Sequence, residues 1–344
     1  MTQISSGASE ERKEESQSPL MNKLDEIQAA LSSVPVAANP LKEDWQIPVI
    51  DLALLRSPVE RSVVIDQIRG ACENWGFFHV VNHGVPHDVI NGMWKAYDTL
   101  YQAPAEQRAI FDHGEPFLPP SLREKFFEML KSFPKGVDLK DTIRLHKFNP
   151  DDEDRMTHVP QECRKLLCAY FKSVRDLGFQ ILETISESLG IERDYFRNVT
   201  GNNPELNVSI HRYSPYEDAE QRMGLPVHVD IDILTILLQT DDVEGLEVKK
   251  DDRWVVVKPV AGSFVINLGE VIQAITNGKY RSVLHRGMLN KDKVRSSVAC
   301  FLVPTPDSMI EPIPHLVTEE NPPHHLIADW ATYYHHHFAK ALKL

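Results

Sequence analysis

The sequence predicts a mainly β protein with flanking helices, its core a closed or double-sheet β-structure of the jelly-roll type. Three observations carry this. Beyond Pro204 the apolar pattern changes from a helical period to short β-branched runs separated by turns. The runs are Leu206 to Tyr213, Leu234 to Gln239, Leu246 to Lys249, Trp254 to Val257, Ser263 to Asn267, Val283 to Leu289 and Ser296 to Val303. Ahead of them, Gln161 to Leu189 keeps a three-four apolar spacing through Leu166, Tyr170, Val174, Leu177, Ile181 and Ile185, which predicts one long helix capped by Gly190. Finally, the chain shows no Gly-rich phosphate loop, no repeat period and no triad motif.

The remaining elements follow in chain order. Residues 1–19 are rich in Ser and Glu and too poor in apolar side chains to offset the entropy of ordering, so they read as a disordered leader. Leu20, Leu24, Ile27 and Leu31 recur at helical spacing and predict a short amphipathic helix. A strand is expected at Ile47 to Asp51, then a helix with Val64, Ile65, Ile68, Ala71, Cys72 and Trp75 on its apolar face, ended by Gly76. The run Phe77 to Val81 reads as a strand stopped by the turn Asn82-His83-Gly84. Residues 85–111 carry another helix, and Gly114 to Pro134 is a Pro-rich loop of the kind that covers pockets. The expected organisation is a leader and helix over 1–44, an N-terminal α/β region over 45–200, the β core over 201–315, and a C-terminal helix over 316–344. On that last helix Trp330, Tyr334 and Phe338 share a face, whereas His335, His336 and His337 are consecutive and fan around the axis.

Composition narrows the partners. The chain has 344 residues, 42% of them hydrophobic, enough to bury a large core. A formal charge of -13 repels polyanions, and no Lys/Arg stripe interleaved with aromatics occurs, so nucleic acid is not expected as a partner. No apolar run reaches the length of a membrane span, the N-terminus lacks an apolar signal region, and the C-terminus matches neither a peroxisomal nor an ER-retention signal. Cys72, Cys163, Cys168 and Cys300 form no C-x-x-C pair and sit in apolar segments, as in a reducing compartment. These features predict a cytoplasmic protein, acting as a monomer on a small molecule.

Chemistry enters at His228-Val229-Asp230. On an extended strand residues two apart point to one face, so both side chains could meet one ion. Alone, an H-x-D is usually a polar turn. His285, in another predicted strand, completes two imidazoles and a carboxylate, the facial triad of non-haem Fe(II) oxygenases. The same set also suits catalytic zinc with a bound water. Arg295 and Ser297 lie ten and twelve residues beyond His285 and share a strand face. A guanidinium fork plus a hydroxyl suits the far end of a dicarboxylate, for which zinc hydrolysis gives no reason.

These residues resemble the plant-type 2-oxoglutarate/Fe(II) dioxygenase superfamily over roughly residues 45–340. The resemblance is carried by Ile47-Pro48-Val49-Ile50-Asp51-Leu52, by Ala71 to Phe78 leading to Val81-Asn82-His83-Gly84, and by Gly224 to Asp230. Phe264 to Gly269, Thr276 to Arg286 and Arg295 to Ala299 complete it. It implies a distorted double-stranded β-helix and Fe(II) held by His228, Asp230 and His285. It also implies 2-oxoglutarate and O2 as co-substrates, ascorbate as a reductant, and a distal carboxylate held by Arg295, Ser297 and Tyr213. One departure stands out: the family commonly has Asn-x-Tyr-Pro-Pro where this chain reads His211-Arg212-Tyr213-Ser214-Pro215, which leaves the role of His211 open.

Within the superfamily, Asp141 to His146 and Ile185 to Gly190 look like the plant salicylate hydroxylases and flavone synthases of the downy-mildew-resistance type, while Arg286 to Arg295 is closer to flavonol and anthocyanidin synthases. The loop 112–139 is shorter than in either. The resemblance implies Thr142 and Arg144 in the substrate cavity and Phe301 placed to stack on a ring, although Phe301 equally suits a core position. Asp232, two residues past Asp230, would share its face on a regular strand; it could recognise a cationic group, but such an acid is more often hydrogen-bonded or solvated at a strand end. The expected reaction is hydroxylation, desaturation or ring closure of a phenolic or flavonoid metabolite, with alkaloids or gibberellin-like terpenoids as alternatives. Two other classes stay open: a non-catalytic small-ligand receptor on the same fold, and a zinc hydrolase or isomerase.

Overall fold

The computed structural model describes residues 45–108, 140–156, 159–201, 204, 206–217, 219 and 222–341. The helix expected at 20–31 and the loop at 114–134 lie outside the described residues. The strands are β1 (Val49–Asp51), β2 (Phe77–Val81), β3 (Lys140–Phe148), β4 (Leu206–Tyr213), β5 (Met223–His228) and β6 (Leu234–Gln239). They continue with β7 (Leu246–Lys250), β8 (Arg253–Val256), β9 (Phe264–Leu268), β10 (His285–Met288) and β11 (Arg295–Leu302).

These strands form a seven-stranded sheet in the order β1-β2-β9-β6-β11-β4-β3 and a four-stranded sheet in the order β5-β10-β7-β8. Every neighbouring pair is antiparallel except β1 with β2. The non-sequential order is what a double-stranded β-helix requires, and it explains the alternation in the strands of the large sheet. Leu234, Ile236, Phe264, Ile266, Val208, Ile210, Val298, Cys300 and Leu302 enter one apolar layer with the residues of the long helix. Their alternate neighbours Leu237, Val265 and Ala299 join Leu246, Val248 and Val255 of the small sheet in a second layer. The large sheet is therefore covered on both faces, by helix on one and by the small sheet on the other.

Helix Gln161–Leu189 spans the range its periodicity predicts, and Gly190 caps it in the left-handed region at φ 72°. Gly178 lets it approach the sheet closely, since a Cβ there would stand 2.7 Å from Leu302 Cδ2. The expected helix over 85–111 is two pieces, His87–Gln102 and Ala105–Arg108, because Pro104 interrupts it. On the C-terminal helix Trp330–Ala341, Trp330 is 1% exposed and packs against Tyr333 and Tyr334, while His337 Nδ1 meets Glu270 Oε2 at 2.7 Å.

Two strands of these two sheets escape the sequence pattern. β3 carries Lys140, Asp141, Thr142, Arg144 and His146, and only Ile143, Leu145 and Phe148 are buried, so its apolar signal is sparse. β5 contains Gly224 and Pro226, residues that argue against a strand interior.

The turn after β5 depends on close backbone contact. Gly269 lies so near Asp232 that a Cβ would be 1.7 Å from the Asp232 carbonyl oxygen, and its N–H donates to Ile233 O at 3.0 Å. Glu270 N–H donates to Asp230 O at 2.8 Å. Replacing Gly269 with Ala should thus displace the 230–233 turn and destabilise the protein by about 3 kcal/mol or more, the upper end of overpacking costs. Urea unfolding measures this; an unchanged midpoint contradicts the packing described.

Candidate metal centre

His228 is the last residue of β5 and His285 the first of β10, and the two stand directly opposite in the antiparallel ladder. Asp230 follows in the turn. The strand-face reading of His228-Val229-Asp230 is therefore corrected: the strand ends at His228, and Asp230 reaches the histidines because the chain bends back. The donor atoms of His228, Asp230 and His285 all lie within 4.8 Å of one another. His228 Nε2 is 3.5 Å and His285 Nε2 3.6 Å from Asp230 Oδ1. Such separations suit three atoms sharing one ion at about 2.1 Å.

Hydrogen bonds orient each of these groups. His228 Nδ1 lies 2.8 Å from Pro226 O, and His285 Nδ1 lies 3.1 Å from Val283 O. A carbonyl only accepts, so the proton sits on Nδ1 and each Nε2 lone pair faces the shared space. Asp230 Oδ2 accepts from Thr235 Oγ1 at 2.5 Å and from Asn267 Nδ2 at 2.7 Å, which leaves Oδ1 for a cation. Burial raises the carboxyl's pKa, but the nearby imidazoles and these two donors outweigh it and hold Asp230 below its ordinary value. Burial, reinforced by His285, pushes His228 down to about 4, so its imidazole is neutral at physiological pH. Phe77 packs edge-on against His285, with ring centroids 5.2 Å apart.

The cluster opens into a cavity between the two sheets. Arg295, Ser297, Ala299 and Phe301 of β11 line it on alternate positions, with His211 and Tyr213 of β4. Arg295 is 2% exposed and donates through Nη2 to Gln239 Oε1 at 2.8 Å, yet its Nε has no partner. The guanidinium lies 5.1 Å from the centre of the Tyr213 ring. Burial lowers the pKa of Arg295 and raises that of Tyr213. Gly224 and Gly245 make room for this arrangement: a Cβ at Gly224 would press on Tyr213 Cδ1 at 2.6 Å, and one at Gly245 on Arg295 Cδ at 2.7 Å. A buried guanidinium with an open donor is costly unless an anion completes it. The residues present thus fit both a metal ion and a carboxylate-bearing co-substrate.

The other sequence candidates fall in different places. Phe301 lines the cavity. Thr142 Oγ1 is 3.0 Å from His211 Nδ1, and Arg144 is two residues further along β3. Asp232 is not among the cavity-lining residues; it is 7% exposed and packed at Gly269, and burial, reinforced by Asp230, pushes its carboxyl well above the ordinary range. The alternation expected to bring it beside Asp230 ends with β5. Sequence reasoning overlooked Thr235, Asn267 and Gln239, which hold Asp230 and Arg295. Their signal was a polar residue inside a continuous apolar strand, where burial demands a partner.

Removing the Asn267 amide frees Asp230 Oδ2 and loosens its orientation. Asn267→Ala should weaken Mn(II) binding roughly 10- to 100-fold, read by titration calorimetry; undiminished affinity contradicts the role given to it. Protons compete with metal for imidazole, so affinity falls with acid. With His228 held to about 4, its contribution stays flat between neutrality and about pH 5 and declines below that. Loss of affinity in the Asn267-containing protein already at pH 7 that tracks His228 protonation by NMR contradicts this.

Comparison with known proteins places this geometry in a family. Residues 204–304 match the model of the 2OG-Fe(II) oxygenase superfamily, and residues 47–165 match that of the N-terminal region of the non-haem dioxygenase in morphine synthesis. The chain is 37% identical over 280 residues to the protein DMR6-like oxygenase 1 of Arabidopsis thaliana, covering 80% of this chain and 77% of that one. It is 37% identical over 284 residues to flavanone 3-dioxygenase 2 of Oryza sativa subsp. japonica, covering 81% and 80%. Among solved structures, that of JOX2 in complex with 2OG, Fe and JA superposes with a TM-score of 0.70 at 30% identity, covering 84% of each chain. The chain belongs to the 2-oxoglutarate/Fe(II)-dependent oxygenase superfamily.

Proposed function

We propose that this oxygenase oxidises a small specialised metabolite carrying an aromatic ring, of phenolic or flavonoid type, at the space between its two sheets. Fe(II) would be held by His228, Asp230 and His285, and the distal carboxylate of 2-oxoglutarate by Arg295, Ser297 and Tyr213. The observation that carries the co-substrate assignment is the buried guanidinium of Arg295, a residue that lines the same space as the triad and whose Nε has no partner among the described residues. Once bound, the metal supplies O2-dependent oxidation coupled to decarboxylation of 2-oxoglutarate to succinate.

The protein's own residues position and enclose. Pro226 and Val283 carbonyls fix the imidazole tautomers, and Thr235 with Asn267 aims the carboxylate. The aromatic preference rests on the wall formed by Phe77, Leu225, Leu237, Leu246, Ala299 and Phe301, an apolar surface on which a ring can lie and from which water is excluded. The match to a flavanone dioxygenase is consistent with that preference.

The test is succinate release by the purified protein given Fe(II), 2-oxoglutarate, O2 and a panel of flavonoids and phenolic acids, with products followed by mass. Dependence on all three cofactors and a gain of oxygen or loss of two hydrogens in a flavonoid or phenolic is the expected result. His228→Ala should abolish turnover. Arg295→Ala should raise the KM for 2-oxoglutarate by roughly 30-fold to several thousand-fold, the range for breaking a buried charge pair. Metal and 2-oxoglutarate binding without succinate identifies a receptor instead, and products only from alkaloids or terpenoids replace the substrate assignment.

A further inference from the structure

We infer that Gln273 is a positioning residue of the metal centre, and that the short helix Glu270–Ile275 carrying it acts as a yoke that sets His285 against Asp230. This rests on the reading of Asp230 and His285 as metal ligands and deepens it. Residues 281–284, which lead into His285, belong to no strand or helix, so their backbone groups must find partners outside a regular element. Arg281 N–H donates to Cys72 O at 3.3 Å, and Ser282 N–H donates to the side chain of Gln273, 2.9 Å from Oε1. The next residue supplies Val283 O, the carbonyl that fixes the tautomer of His285 through Nδ1. Gln273 therefore holds the chain one residue before the group that orients a metal-binding imidazole.

The other end of the same helical turn holds Asp230. Glu270 N–H donates to Asp230 O at 2.8 Å, and Val271 N–H donates to Asp232 O at 3.3 Å. First-turn N–H groups have no partner inside a helix, so the chain segment that carries the Asp230 carboxylate supplies the missing acceptors. Glu270 and Gln273 are three residues apart, about 4.5 Å along the helix axis. Two segments distant in sequence are thereby referenced to one turn of one helix. Ser282 Oγ lies 3.5 Å from Asp230 O, a weak contact that shows the two held segments side by side.

The yoke itself is anchored. Val271, Ile272, Ala274 and Ile275 are buried, and Thr276 Oγ1 at its C-terminal end accepts from Tyr280 N–H at 3.1 Å. From outside, His337 Nδ1 of the C-terminal helix meets Glu270 Oε2 at 2.7 Å. His228 is placed differently, by the ladder between β5 and β10. Without the Gln273 acceptor, Ser282 N–H loses its partner and the backbone around Val283 is free to shift, and with it the orientation of the His285 ring toward Asp230 Oδ1.

Metal binding by the full chain, without turnover, tests this. Gln273→Met keeps the length of the side chain and removes its acceptor, whereas Gln273→Glu keeps an acceptor. By titration calorimetry Gln273→Met should bind Mn(II) roughly 5- to 30-fold more weakly than the unsubstituted protein. The visible absorption bands of its Co(II) form, which report ligand geometry, should shift, while Gln273→Glu keeps the original affinity and bands. Thermal unfolding with and without metal separates positioning from bulk stability. A glutamine of purely structural role lowers both midpoints alike and leaves the Co(II) bands in place; that result overturns the inference, as does unchanged Mn(II) affinity in Gln273→Met. Should Gln273→Met not fold, Gln273→Asn, which keeps the amide and shortens its reach, carries the same expectations. Failure of the unsubstituted protein to bind Mn(II) or Co(II) is a separate outcome: it overturns the metal assignment of His228, Asp230 and His285, and this inference with it.

Discussion

The carboxylate of Asp230 is buried against a polar pair that occupies only one of its oxygens, and much of the site's organisation follows from that division. Thr235 and Asn267 both donate to Oδ2, so Oδ1 is turned toward the imidazoles of His228 and His285. A buried anion without such donors would be protonated or would pull the turn apart. The donors come from β6 and β9, neighbours in the centre of the large sheet, and the imidazoles come from β5 and β10 of the small one. The metal site therefore exists only where the two sheets face each other in this register.

The same sandwich explains why the opposite end of the cavity is cationic. β11 runs between β6 and β4, and its alternate residues Arg295, Ser297, Ala299 and Phe301 grade from charged to aromatic along the cavity wall. The absence of a side chain makes that wall possible, since a Cβ at Gly224 or Gly245 would press on Tyr213 or Arg295. Arg295 is buried with one donor satisfied by Gln239 and another open, a costly arrangement that a carboxylate would complete. Stability has been conceded locally where binding requires it.

Much of this was legible in the sequence, for identifiable reasons. β4 and β6 have the predicted limits because β-branched runs bounded by turn residues admit one reading. His228, Asp230, His285 and Arg295 stood out because an H-x-D spacing, a second histidine and a guanidinium fork together suit one ion and a dicarboxylate. What was hidden depends on tertiary context. β3 reads as polar because only Ile143, Leu145 and Phe148 of its nine residues are buried, and β5 is masked by Gly224 and Pro226, of which Gly224 is required by the ring of Tyr213. The bend after His228 is not readable from alternation, which places Asp230 on a strand it does not occupy and would carry Asp232 onto its face only if that strand stayed regular. Asn267, Thr235 and Gln239 carry no motif, and their importance appears only when their partners do.

Anomalous diffraction at the iron edge from anaerobically grown crystals of the Fe(II)-loaded protein tests the central claim most directly. The account predicts one strong peak per chain within bonding distance of His228 Nε2, His285 Nε2 and Asp230 Oδ1. A peak at other side chains, or none at these three under saturating Fe(II), contradicts it.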